Sequence, residues 1–79
     1  MKLNIKKIAK DKVGNYIVST VCKDGVYETA ICKEKGNYVV VQIYTDEVRA
    51  RIAHKNWVEF AANEPLYAYD VNTREQTLL

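Results

Sequence analysis

Hydrophobic and polar positions alternate through the middle of the chain as they do in β-strands. The segments 15–23 ("NYIVSTVCK") and 26–33 ("VYETAICK") are rich in β-branched and aromatic residues. The pair Asp24-Gly25 between them favours a type I′ turn, because both central residues of that turn have positive φ. A break at 34–37 leads into a third segment of the same kind, 38–44. The pattern predicts a three-stranded antiparallel meander.

The Asp24-Gly25 loop sets the register of the meander, and the register divides its side chains between two faces. One face is nearly all apolar and is predicted to be buried: Ile17, Ser19, Val21, Val26, Glu28, Ala30, Cys32, Val39, Val41 and Ile43. The other mixes hydroxyl, amide and aromatic groups and is predicted to face outward: Tyr16, Val18, Thr20, Cys22, Tyr27, Thr29, Ile31, Lys33, Val40, Gln42 and Tyr44. Because Cys22 and Cys32 fall on opposite faces, the register predicts two free thiols.

Residues 46–62 follow the helical period. Asp46 or Thr45 is suited to cap the first turn, and five apolar residues then recur at helical spacing: Ala50, Ala53, Trp57, Phe60 and Ala61. The alanines would let the helix approach the sheet closely, and the two aromatic residues would supply most of the buried area. The segment 48–53 ("VRARIA") also alternates as a strand does, but the helical pattern continues beyond it without a turn residue.

The rest of the chain completes an α+β fold. Asn63-Glu64-Pro65 ends the predicted helix, 66–71 reads as a strand, and 74–79 is either a frayed tail or a final short strand. The lysine-rich first segment is suited to an edge strand. We therefore predict a single domain over 1–79, with an antiparallel sheet of four or five strands around a three-strand meander core and one α-helix packed on one face.

The basic charge is concentrated at the start of the chain. Residues 1–12 contain five lysines and one aspartate, a local balance of +4, although the whole chain has a net charge of only +2. This distribution excludes a DNA mimic, which needs a strongly acidic surface. It also makes four lysines candidate contacts for nucleic-acid phosphates, with a solvated edge strand as the alternative: Lys6, Lys7, Lys10 and Lys12.

No constellation of residues indicates catalysis. His54 is the only histidine, and a nucleophile–base pair also needs a hydroxyl, thiol or amine and a third group that orients the base. Cys32, on the predicted helix-facing side, is the one thiol expected within reach of it. The sequence has no glycine-rich phosphate loop, no pair of carboxylates for acid–base chemistry and no metal-ligand cluster. It therefore predicts a protein that is not an enzyme and uses neither metal nor cofactor.

The mixed face of the meander is the candidate protein-binding site. Tyrosine is enriched where proteins recognise one another, and the side chains expected to make contact, with a protein partner or a second copy of the chain, are Tyr16, Tyr27, Gln42 and Tyr44. Tyrosines can also stack unpaired bases, but this face offers mainly one basic residue, Lys33. The alternative is that these tyrosines are good strand formers whose hydroxyls contact water.

The chain contains no apolar run of 18 residues and no apolar stretch near its start. These observations predict a protein of the cytoplasm without a membrane partner.

Three fragments resemble small uncharacterised phage and prophage proteins. They are "STV" at 19–21, "YET" at 27–29, and the spacing of tyrosine, alanine, histidine and tryptophan through 44–58. In those proteins a Ser-Thr-Val strand precedes a Tyr/Phe-Glu-Thr strand, and the pattern Tyr-x-Ser/Thr-x-Glu-x-Ala-x-x-Gly-His follows. The likeness covers 18–60.

This chain departs from that pattern at three positions. Asp46 stands at the Ser/Thr position, Val48 replaces the usual glutamate, and Ala53 replaces glycine. The resemblance implies a phage or mobile-element origin and carries no activity with it. Together with the tyrosine face, it predicts an accessory protein that binds a host or phage protein, an inhibitor of host defence being one form of this. The alternative is a small nucleic-acid-binding protein.

Overall fold

The computed structural model describes residues 5–33, 35–63 and 67–79. The elements are β1 (Ile5–Val13), β2 (Tyr16–Lys23), β3 (Val26–Lys33), β4 (Val39–Tyr44), α1 (Glu47–Ala61), β5 (Tyr67–Asp70) and β6 (Glu75–Leu78). Three residues of the predicted elements lie outside the described residues: Glu64 and Pro65 of the predicted helix stop, and Leu66 at the start of the strand predicted over 66–71.

The first four strands form one antiparallel sheet in chain order, and β5 and β6 form a separate hairpin. Asp24 and Gly25 both have positive φ, 49° and 81°, as the type I′ turn requires. Lys23 pairs with Val26, which is the predicted register. The α+β class, the antiparallel sheet and the single packed helix are confirmed.

Helix α1 begins where the capping residue predicts. The carboxylate of Asp46 accepts a hydrogen bond from Val48 N–H at 3.0 Å, and this bond satisfies one of the free amides of the first turn. Ala50 and Ala53 are buried against the sheet, as expected. The prediction for Phe60 is wrong, because its side chain is 54% exposed.

The helix covers the opposite face of the sheet from the one predicted. Five residues of the mixed face are almost completely buried: Tyr16, Val18, Thr20, Thr29 and Ile31. Tyr16, Val18 and Ile31 form the hydrophobic core together with Val39, Val41, Ala61 and Ala68, and the partly buried Trp57 and Val58 pack against it. On the face that was predicted to be buried, Cys32 is buried as expected, but no helix or strand among the described residues covers this face, and Ile43 on it is 42% exposed.

Strand β1 explains this choice of face. Its register places Lys7, Lys10 and Lys12 on the same face as Val21, Ser19 and Ile17. A helix on that face would take several lysine ammonium groups out of water, and the burial of charges is costly. Asp11 instead shares the covered face with Val18. The prediction considered only the meander and so omitted the charges that β1 adds.

A β-bulge in β4 changes the face to which the first residues of that strand belong. Thr29 pairs with Gln42 but Ala30 pairs with Val40, so that one extra residue, Val41, lies between them. Beyond this bulge Val39 pairs with Ile31 and is buried, whereas Val40 turns to the uncovered face. A bulge reverses the alternation of a strand, and the predicted faces of Val39 and Val40 were therefore wrong.

The β5–β6 hairpin closes one end of the covered face. Ala68 is completely buried, and Val71 N–H donates to the Val40 carbonyl at 2.9 Å. The hydroxyl of Tyr16 donates to the Leu79 carbonyl at 3.0 Å. The chain end predicted as either frayed or a short strand is thus the strand β6, whose residues are exposed, and Leu79 directly after it packs against the core.

Cys22 and Cys32 are both free and belong to opposite faces of the sheet, as predicted. Within the described ranges, no helix combines the length and apolar character needed to cross a membrane.

Candidate functional site

A chain of hydrogen bonds runs between the sheet and the helix. Thr29 Oγ1 lies 2.7 Å from Thr20 Oγ1, Thr20 Oγ1 lies 2.7 Å from His54 Nδ1, and His54 Nε2 lies 2.6 Å from Asp11 Oδ2. An ionised carboxylate only accepts, so His54 Nε2 carries a hydrogen and donates it to Asp11. Thr20 Oγ1 thus joins Thr29 to His54, and His54 joins Thr20 to Asp11.

This network has the order of a carboxylate, a base and a hydroxyl, but the hydroxyl is closed off. Thr20 is 0% exposed and Thr29 is 1% exposed, and attack on a substrate requires an accessible nucleophile. The predicted contact between His54 and Cys32 is absent from the network, because Cys32 belongs to the other face. His54 connects α1 to β1 and β2, because Asp11 belongs to β1, Thr20 to β2 and His54 to α1.

The uncovered side of the sheet is the first candidate interaction surface, and we call it the open face. A shallow groove of about 280 Å³ on this face is lined by small and aliphatic side chains, among them Ser19, Val21, Ala30 and Val40. The strand register adds Ile17 and Ile43 to the same face. Tyr38 borders the groove and is 48% exposed. Contiguous apolar surface of this kind commonly marks a site of interaction.

Lysines border the open face along β1. Lys7, Lys10 and Lys12 belong to it by register, and Lys23 lies on it 3.4 Å from the carboxylate of Glu28. We call the first three the lysine row. The fourth predicted nucleic-acid contact, Lys6, pairs with Cys22 on the covered side. There its charge helps to lower the pKa of Glu47, so the four lysines do not form one surface.

The second candidate surface is a groove of about 260 Å³ between α1 and β4, which we call the helix groove. Strand β4 contributes Gln42 and Tyr44 to its wall. The helix contributes the remaining side chains: Arg49, Ile52, Ala53, Asn56, Trp57 and Phe60. Trp57 and Phe60 form an edge-to-face pair with ring centroids 5.5 Å apart.

The predicted protein-binding residues are divided between different environments. Tyr16 is only 2% exposed and belongs to the core, so its placement on an outward surface was wrong. Tyr27, Gln42 and Tyr44 are half-buried on the helix side of the sheet, where Gln42 and Tyr44 line the helix groove. Sequence reasoning did not find Arg49, Trp57 and Phe60 as their neighbours.

Tyr27 connects the sheet to the first turn of α1. Its hydroxyl donates to Glu47 Oε1 at 3.3 Å, and Arg51 Nε donates to Glu47 Oε2 at 3.0 Å. The bond and the charge of Arg51, followed by the Tyr27 bond, lower the pKa of Glu47. Partial burial, followed by the neighbouring Cys22 and Glu47, raises the pKa of Tyr27. These contacts orient the helix.

Within 5–33, 35–63 and 67–79, no three His, Cys, Asp or Glu side chains come together in an arrangement that could hold a metal ion. Comparison of the chain with protein-family models, with curated proteins and with solved structures found no match.

Proposed function

We propose that this protein is a non-enzymatic binding module, and that its open face docks an amphipathic helix of another protein with acidic residues along one flank. The observation that carries the proposal is an aliphatic sheet face with no covering element in the described chain. A sheet buries an apolar face against another layer, and a helix is the layer that already covers the opposite side here.

The charges on the open face favour an acidic partner. The lysine row follows β1 along one border, whereas the groove is lined mainly by uncharged side chains, with Val21, Ala30 and Val40 among them, and by one ion pair, Lys23 with Glu28. A helix with apolar residues towards β2–β4 and acidic residues towards β1 would match both features. Complementary charges of this kind contribute to specificity and to the rate of association.

Nucleic acid matches only one of the two features. Phosphates would contact the lysine row, but the apolar centre would remain without a partner. Modules that bind single strands on a sheet stack bases on aromatic side chains, and Tyr38 is the one aromatic residue at the groove of the open face. The resemblance to phage and prophage proteins adds that the partner belongs to a host or a phage, and inhibition of a host defence is one form of the proposal.

Affinity capture from a bacterial lysate with matched variants tests the proposal. A protein captured by the wild type should be lost with Val21→Lys on the open face and retained with Val48→Lys, because Val48 is a 65% exposed helix residue away from both surfaces. Circular dichroism checks that both variants fold. Capture that survives Val21→Lys would contradict the proposal.

A gel-shift experiment at two salt concentrations separates the alternative. A shift of single- or double-stranded DNA that weakens steeply with salt, and less steeply after Lys7→Gln and Lys10→Gln, would contradict the proposal in favour of nucleic-acid binding.

A further inference from the structure

The helix groove lies beside β4, at an edge of the four-stranded sheet. Strand β4 is last in the order of the four-stranded sheet. At its first residues the outer edge is already used, because Val71 N–H donates to the Val40 carbonyl. Past that bond, no further strand in the described part of the chain is hydrogen-bonded to 41–44 as a sheet neighbour, although β5 packs near β4. Free backbone groups at a sheet edge are a template for pairing with another chain.

The wall of the groove opposite β4 exposes large apolar side chains. Ile52 is 56% exposed and Phe60 is 54% exposed, although both belong to a helix that packs on the sheet. Ala53 forms the floor between them, and Trp57 stands beside Phe60. A side chain that projects from an added strand towards α1 would cover these groups.

Arg49 supplies a charge at one end of the groove. Its side chain is 73% exposed, and its nearest carboxylate, that of Asp46, lies 3.8 Å away and is itself 53% exposed. Such an exposed pair contributes little, so the guanidinium is available to a carboxylate of a ligand, to which it can donate two parallel hydrogen bonds. Asp46 already accepts from Val48 N–H as the helix cap.

We infer that the helix groove binds an extended segment of a partner protein, which adds to the edge of β4 as a further strand and carries an apolar side chain and a carboxylate on the side that faces α1. From Arg49 to Trp57 the helix rises about 12 Å, which is about four residues of extended chain. An even spacing directs both side chains to the same side of a strand. The site is separate from the open face and does not depend on it.

Selection from a library of random peptides of about seven residues tests the inference, with the folded protein as the target. Enriched peptides should carry an aromatic or aliphatic residue and an acidic residue about four positions apart. Their affinity should fall about tenfold or more with Arg49→Glu, which removes a charge-assisted bond, and with Ile52→Glu, which places a charge in the apolar wall.

Two variants control for charge and for folding. Lys55→Glu makes the same change of charge at an exposed helix residue outside the groove, and Val48→Glu makes the same change from a β-branched residue. Both should leave affinity within about twofold, a difference well below 1 kcal/mol. Val21→Lys on the open face should do the same, so failure of this site and failure of the proposed function are distinguishable.

Amide hydrogen exchange tests whether a bound peptide pairs with the edge of β4. A bound peptide should slow amide exchange in 41–44, because the added strand pairs with this edge. The inference is overturned if no peptide is enriched, if enriched peptides tolerate Arg49→Glu and Ile52→Glu, or if binding leaves exchange in β4 unchanged. Sedimentation that detects a dimer dissociated by Ile52→Glu, without peptide enrichment, would overturn it in favour of a second copy of the chain.

Discussion

The covered face and the open face of the sheet differ in how their polar groups are satisfied. The covered face buries Thr20, Thr29 and His54, and each of these side chains has a partner within 2.7 Å. The open face has more aliphatic side chains at its centre, but it also carries the lysine row and the ion pair of Lys23 with Glu28. The burial of polar groups that bond to one another costs little, whereas the burial of several ammonium groups on one face would cost much.

The comparison teaches that the number of aliphatic residues on a face does not decide whether that face is buried. Ser19, Val21 and Ala30 on the open face are only half-buried. Thr20 and Thr29 on the covered face are almost completely buried. Among the described residues, every buried side-chain nitrogen and oxygen has a hydrogen-bond partner. The buried face is therefore the one whose polar side-chain atoms form hydrogen bonds with one another.

The largest expected effect comes from shortening one isoleucine on each face. Ile31 on the covered face is 0% exposed and Ile43 on the open face is 42% exposed. Ile31→Ala should lower the free energy of unfolding by about 2–5 kcal/mol, through lost burial and a cavity. Ile43→Ala should lower it by less than about 1 kcal/mol. Urea denaturation measures both, and equal losses would mean that both faces are covered.

A second prediction concerns the buried network. Thr20→Val removes the hydroxyl between His54 and Thr29 at nearly constant shape, and the partners left unpaired should lower the free energy of unfolding by about 1–3 kcal/mol. Thr77→Val, at an exposed position of β6, is the matched control and should change it by less than about 0.5 kcal/mol.

The double variant Thr20→Val with Thr29→Val sharpens this result. Its loss should be smaller than the sum of the two single losses, because the two hydroxyls bond to each other. Strictly additive losses in chemical denaturation would show that the two threonines contribute independently.

The smallest effect concerns pH and the hairpin that closes the covered face. The carboxylate of Asp70 accepts hydrogen bonds from Thr73 N–H and Asn72 N–H, at 3.0 and 2.8 Å, and these bonds lower the pKa of Asp70. Its contribution to stability is therefore complete at pH values above the ordinary range of an aspartate and is lost as pH falls through the lowered folded value.

Hydrogen exchange at acidic and neutral pH measures this contribution. Relative to the intrinsic exchange rate at each pH, acidification should lower the protection of amides in β5 and β6 more than in β2. In Asp70→Asn the fold should stay similar, and this loss of protection in the hairpin should be smaller. An acid response that Asp70→Asn leaves unchanged would assign the effect to other carboxylates.

Much of the fold followed from local patterns. The Asp24-Gly25 turn, the Asp46 cap and the register of β2 with β3 involve neighbouring residues or a single hairpin, and all were confirmed. The candidate site was less predictable. Gln42 and Tyr44 do lie together at a groove, but Tyr16 is in the core, because no local signal showed that its hydroxyl would reach the Leu79 carbonyl.

The bulge at Val41 and the place of β1 were missed for the same reason. Each depends on a pairing partner that the alternation within one strand does not identify. The lysines were visible as a cluster, but only their register against β2 divides Lys6 from the lysine row.

By itself, the sequence determined which segments are strands and which is the helix, where the tight turn lies, and that the two thiols project from different faces. These properties arise from backbone preferences and periodicity over short distances. Only the tertiary structure decided which face the helix covers. That choice depends on hydrogen bonds between distant residues, such as Asp11 and His54, which are 43 positions apart, and on the cost of burying the lysines that β1 adds to the other face.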